Sequence, residues 1–211
     1  MNLSKFVVVP SSFLMVTLVA LSGCATSSPK EAAKLVSGVE ESRRALQAAE
    51  AQVRSALDAA NSLGQTEGGS LQSDFQRLNS EIELSNEKRD EFRKRVDSMD
   101  KTSASYFTTW AADLDKFQTE EFRTRSEARL EETRGRYNQL MTTMQQAEEK
   151  FNPFMAKLHD MSRYLNFMLN PTGVDSIKTS VGEMSSDATD LYTTVETAVQ
   201  EADGFVVLMG P

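Results

Sequence analysis

The sequence predicts an all-α fold: an elongated antiparallel bundle of about four long helices with a protruding central helical hairpin. Three observations carry this expectation. From Leu71 to Leu169 apolar side chains return at the alternating three- and four-residue spacing of helices that pack along a common stripe, with charged residues between them. Only ten glycines and five prolines occur in 211 residues, so long stretches pass without a helix breaker. No strand-like alternation of any length appears.

Residues 1–23 have the layout of a secretory signal: the single charge of Lys5, an apolar run from Phe6 to Ala20, and small residues before Cys24. The run falls short of the ~20 residues that a bilayer span needs, and Pro10 interrupts it. Leu21, Ser22, Gly23 and Cys24 resemble a bacterial lipobox, in which the cysteine is lipidated and the chain is then cut before it. Cys24 is the only cysteine, so it has no internal disulfide partner in an oxidising compartment, and acylation would remove the unpaired thiol. An ordinary cleaved signal with an incidental cysteine is the plainer alternative. The expected modification is a diacylglycerol and an N-acyl chain such as palmitate on Cys24. Several chains give a stable anchor where one gives only marginal binding. Ala25 after the cysteine, rather than Asp, favours an outer membrane lipoprotein facing the periplasm.

Residues 24–28 form a short tether, and 29–211 form the bundle. Ser28-Pro29-Lys30-Glu31 combines a capping box with proline at the first helical position, which predicts helix 1 over 29–63. Its seam of Leu35, Val39, Leu46, Ala49, Val53, Ala56, Ala60 and Leu63 is rich in alanine and suited to close packing. Gly64 and the polar stretch through Ser70 end it. Helix 2 is expected over 71–117, free of glycine and proline. The turn around Gln118 to Glu121, with Thr119 as its cap, is the least defined boundary, and one unbroken helix is the alternative. Helix 3 is expected over 120–169, with Pro153 bending it at a solvent-facing position. Asn170-Pro171-Thr172-Gly173 reads as a stop, so helix 4 is expected over 174–208, from Val174 and Ile177 to Ala202 and Phe205.

At 1.5 Å per residue the middle helices reach ~70 Å and the outer two ~50 Å. With short connections the central hairpin then overhangs its neighbours by roughly a dozen residues, or ~20 Å, at the end that carries the anchor. Lipid, hairpin tip and apolar carboxyl end are expected together there.

Chemical signatures are sparse. His159 is the only histidine and falls at an outward position, and neither a Glu-x-x-His pair nor a phosphate-binding glycine loop occurs. No catalytic residue, metal site or cofactor is therefore expected, and the chain is read as no enzyme. Removing residues 1–23, whose only formal charge is Lys5, takes the net charge from −8 to −9. That balance disfavours nucleic acid as a partner.

Two clusters stand out. Arg89 falls on the seam one turn from Ser85, and counting from the turns brings Asp190 near it. Ser85, Arg89 and Asp190 are thus a candidate buried polar layer, against the plainer reading in which the arginine stem packs and its head reaches solvent. Tyr106, Phe107, Trp110, Phe117 and Phe122 crowd the overhang and are candidates for contact with a partner or a membrane. The alternative is that these rings pack across the hairpin. From Ser103 to Arg129 five acids meet four bases, so this end is far less acidic than the whole. Met99, Met144, Met161, Met168 and Met184 occupy seam positions, where filling a core is commoner than lining a ligand groove.

Residues 130–141, Leu-Glu-Glu-Thr-Arg-Gly-Arg-Tyr-Asn-Gln-Leu-Met, and 164–170, Tyr-Leu-Asn-Phe-Met-Leu-Asn, resemble a family of uncharacterised bacterial envelope lipoproteins with a helical, coiled-coil-like domain of unknown function. The resemblance implies an envelope location and a helical fold, and it carries over no activity or catalytic residue. The expected function is a lipid-anchored, non-enzymatic scaffold or protein-interaction module. Its partners are the membrane and an unidentified envelope protein, with self-association into a homo-oligomer left open. Binding of lipid or a small apolar ligand in a groove between helices is the alternative.

Overall fold

Four helices make up nearly all of residues 29–66 and 70–210, the residues described by the computed structural model. The expected signal, lipobox and tether lie outside them. The helices are α1 (Pro29–Gln65), α2 (Leu71–Asp113), α3 (Glu120–Phe167) and α4 (Pro171–Met209), with a 3-10 turn over Leu114–Lys116. No strand occurs among the described residues. Each helix packs beside the one before it and α4 closes against α1, so α1 stands diagonal to α3 and α2 to α4. This is the antiparallel bundle that the sequence predicts.

The seven-residue seam is its core. On α4 every seam position from Val174 to Phe205 is buried, and on α3 every one from Leu130 to Leu165. On α2 the stripe from Phe75 to Trp110 is buried except at Arg89. The pairs are not equivalent. α1 and α2 approach most closely along their length, because α1 adds Ala45, Ala49, Ala56, Ala59 and Ala60 to its buried face and small side chains let backbones come together. α2 and α3 approach least, and there the Phe92 and Phe151 rings meet with centroids 6.4 Å apart.

Four boundaries differ from expectation by two residues or more. α1 runs two residues further, through Gly64 to Gln65. α2 ends at Asp113 and tightens into the 3-10 turn instead of continuing to Phe117. α3 stops at Phe167 instead of 169, and α4 begins at Pro171 instead of 174. The last difference has a clear cause. The Asn170 side chain accepts a hydrogen bond from the Gly173 backbone N–H at 3.0 Å, and Pro171 takes the first helical position. The segment read as a stop is also a helix start. Gly173 is required there, since a Cβ would lie 1.9 Å from the Met168 carbonyl oxygen.

Between α1 and α2 the connection is tied by Asp74, which accepts from Thr66 Oγ1 at 2.7 Å and Ser70 Oγ at 3.1 Å. The Thr66 bond above all holds the Asp74 carboxyl below its usual range. Pro153 lies within α3 at an exposed position, as expected, and α3 continues on both sides of it.

Two substitutions separate core from surface on α3. Phe151→Ala is expected to lower the unfolding free energy by about 3–5 kcal/mol, the loss typical of an emptied phenylalanine site. Pro153→Ala supplies a missing N–H without touching the core and is expected to raise it, by up to about 3 kcal/mol. Urea denaturation followed by circular dichroism measures both.

Candidate functional site

At one end of the bundle α1 begins, α4 ends, and α2 and α3 run on together. Arg129 on α3 donates to the Leu208 carbonyl at 2.9 Å, so the last turn of α4 is capped at the level of Arg129. Beyond it the 3-10 turn touches α2 and α3 alone. The protruding hairpin is thus present. Thr119 sits at the N-cap of α3 in extended conformation but makes no side-chain capping bond, and Glu120 and Glu121 occupy the first turn, where the helix dipole favours negative charge.

The hairpin supplies its own core with rings. Tyr106 stands edge-on to Phe107 and to Trp110, with centroids 5.3 and 5.6 Å apart. Phe107 meets Tyr137 at 5.6 Å, and Tyr137 meets Phe205 of α4 at 5.7 Å. A line of aromatic contacts therefore runs from the protruding segment into the bundle. The Trp110 indole N–H donates to Ser126 Oγ at 2.9 Å, stitching α2 to α3. Of the five aromatic residues singled out as contact candidates, Tyr106, Phe107 and Trp110 are buried and belong to this packing. A ring already covered on its faces offers a partner nothing, so these three are corrected to core. Phe117 is half-buried and Phe122 is 55 % exposed. The contact surface at the tip reduces to these two.

Charge at the tip is paired locally. Lys116 bridges the buried Asp113, Arg123 bridges Glu120 at 3.0 Å, and Arg125 bridges Glu121 at 2.7 Å. Each basic group is balanced by an acid within a turn. Exposed apolar side chains also occur elsewhere. Val207, on the last turn of α4, is 80 % exposed, and Phe167, at the opposite end of the bundle, is 81 % exposed. Sequence reasoning missed Phe167 because it sits one residue off the seam, where its helix ends.

The candidate polar layer does not assemble. Ser85 is buried, but its hydroxyl donates to the Glu81 carbonyl of its own helix at 2.7 Å. Arg89 is rotated toward the surface, its guanidinium reaching the neighbouring Asp90 at 3.2 Å, with Nε buried and without a partner. Asp190 is exposed on α4 and lies 4.0 Å from Lys150. Counting residues from a turn gives the level along the bundle but not the angle around it, which is why the three do not meet. The stem of Arg89 packs and its head leaves, as the plainer reading has it.

Met99, Met144 and Met184 are buried to 1 % exposure or less and fill the core, while Met168 is exposed beside the α3–α4 turn. An open groove of about 880 Å³ between α1 and α4, at the end away from the hairpin, is lined by Asn61, Thr66, Pro171, Asp175 and Lys178 among others, none of them a methionine. His159 is exposed, with Nε2 3.0 Å from the Asn86 amide nitrogen. Among the described residues no three His, Cys, Asp or Glu side chains are grouped to hold a metal ion.

Residues 28–209 match the model of a family described as protein of unknown function, DUF2959. Neither a curated protein nor a solved structure matches the chain.

Replacing Arg89 by Met removes a buried donor without a partner and keeps the packed stem. Unfolding free energy is expected to stay level or rise by about 1 kcal/mol, while Asp190→Ala stays within ~0.5 kcal/mol; a large loss in both would restore the polar layer. Tyr137 gives a pH signature. Burial first, and the Asp100 carboxylate 3.4 Å from its hydroxyl, push its phenol well above the ordinary value of 10.0. The folded state then keeps a proton that the unfolded chain loses, so this contribution to stability is complete below about pH 10 and falls as pH rises beyond it. Urea midpoints between pH 9 and 12 are expected to decline less steeply for Tyr137→Phe than for the unsubstituted protein.

Proposed function

Starting from the fact that the chain belongs to the DUF2959 family of proteins of unknown function, we propose that it is a lipid-anchored lipoprotein of the bacterial envelope that acts by interaction, as a non-enzymatic scaffold. The observation that carries this reading is the coincidence of three features at one end of the bundle. α1 begins at Pro29, five residues after the lipobox cysteine. α4 ends beside it, and the α2–α3 hairpin protrudes past both. Among the described residues no helix is long and apolar enough to cross a membrane, which is compatible with attachment through Cys24.

A covalent diacylglycerol with an N-acyl chain on Cys24 is the modification proposed, and Ala25 supports sorting to the outer membrane with the bundle in the periplasm. The body of the bundle supports a structural role. Met99, Met144 and Met184 close the core, and Met161 alone of the seam methionines borders the open groove of about 420 Å³ between α3 and α4; a core closed along most of its length favours interaction over storage of an apolar ligand. Its partner is proposed to be another envelope protein, met by the exposed flanks or by the far end around Phe167.

Fractionation tests the anchor. The protein with Cys24 is expected to stay with membranes through a high-salt wash and to incorporate a palmitate analogue. Cys24→Ser is expected to lose both. Firm membrane association of Cys24→Ser through the same wash, with no incorporation in either form, overturns the reading.

A further inference from the structure

We infer that the tip of the α2–α3 hairpin is a second membrane contact, in which Phe122 and Phe117 enter the lipid interface and hold the bundle upright on its anchor. The inference rests on the anchor at Cys24 and names the surface that the tip meets.

Register gives the distance. Gly38 of α1 faces Met99 of α2, with a Cβ position 3.6 Å from its Cα, and Glu41 of α1 bridges Arg95 at 2.8 Å. Running the two helices in opposite senses from there puts Pro29 level with residue 108 or so on α2. From that level α2 continues to Asp113 and the 3-10 turn to Lys116. At 1.5 Å per residue for the first and ~2 Å for the second, the tip lies about 13 Å past the start of α1. Between Cys24 and Pro29 the chain reaches at most ~17 Å. Tether and overhang are matched to within a few ångströms. A bundle standing on a lipidated Cys24 therefore has its hairpin tip at the membrane surface.

The chemistry of the tip fits that position. Phe122 projects from the first turn of α3 with more than half its surface exposed, and Phe117 lies in the turn beside it. The three cations nearest to them, Lys116, Arg123 and Arg125, are each neutralised by an acid of the same segment. Such a tip inserts by burying apolar surface and needs no anionic lipid. A tip built to grip anionic headgroups would leave its arginines unpaired.

Depth-dependent quenching tests the inference. The full lipidated protein is reconstituted into phosphatidylcholine vesicles, with or without phosphatidylglycerol, containing lipids brominated near the headgroup end of the acyl chain. Phe122→Trp adds a reporter at a site that is more than half exposed, and Leu84→Trp adds one at an exposed site on α2 far from the tip. Emission from Phe122→Trp is expected to fall on bromination and to shift to the blue, equally in both lipid mixtures. Leu84→Trp and the parent, with Trp110 alone, are expected to stay unchanged. Vesicle-bound protein whose residue 122 is not quenched overturns the membrane contact and leaves the anchor standing, as when a second copy or a partner covers the tip. Quenching that requires phosphatidylglycerol overturns insertion by apolar burial. Protein that does not stay with the vesicles at all overturns the anchor itself.

Discussion

Near the middle of the α2–α3 interface the Phe92 and Phe151 rings meet, and on either side of them the four apolar stripes close on one another with almost no interruption. A helix of this kind cannot bury its own stripe, and without neighbours even a long one is marginal in water. Seven-residue spacing keeps each stripe turned to the centre over the whole length of the bundle. Most of the small polar side chains in the core are served by their own helix, Ser42 being the exception. Ser85, Ser103, Thr133 and Thr143 all donate to a carbonyl three or four residues earlier. Cross-helix bonds are isolated, as where Ser85 also reaches the Gln52 carbonyl at 3.3 Å and Trp110 reaches Ser126, so the core's specificity comes mainly from the shape and size of the seam.

Unequal helix lengths follow from this and create the one distinctive feature of the surface. Where α1 and α4 stop covering α2 and α3, two stripes remain to satisfy each other, and a narrow aliphatic seam cannot do so. Large rings widen it. Phe107 is buried although it lies one position off the repeat, at the level where α1 begins, because it packs edge-on against Tyr106 and Tyr137. The edge-on line from Trp110 through Tyr106, Phe107 and Tyr137 to Phe205 passes that packing back into the bundle. A protruding segment held in this way is a stiff continuation of the rod.

Much of this is legible in the residues themselves. The repeat marks nearly every core position of α3 and α4, and caps locate most helix ends to within a few residues, because both depend on local spacing. What depends on rotation about a helix axis is not legible. Arg89 keeps the beat of the seam but is turned outward, and Asp190, level with it by counting, faces Lys150. The aromatic tip shows the same limit from the other side. Five rings close in sequence look like one patch, yet three are core and two are surface, and only the angle at which the hairpin closes decides which. The start of α4 was hidden for a different reason: Asn170 and Pro171 signal both the end of one helix and the cap of the next.

Charge distribution adds a constraint on how such a rod meets a surface. The whole chain carries −8, but the segment from Ser103 to Arg129 carries only −1. At physiological ionic strength repulsion from an anionic leaflet fades over about 8 Å. A rod lying along the membrane would hold acids of several helices inside that layer. Standing upright it exposes only the hairpin tip, where acids and bases are paired within a turn. Electrostatic repulsion therefore opposes the flat arrangement and leaves the upright one nearly untouched. Screening lets the acidic flanks coexist with the membrane as long as they stay more than a Debye length above it, which is the spacing that a tip protruding about 13 Å beyond α1 provides.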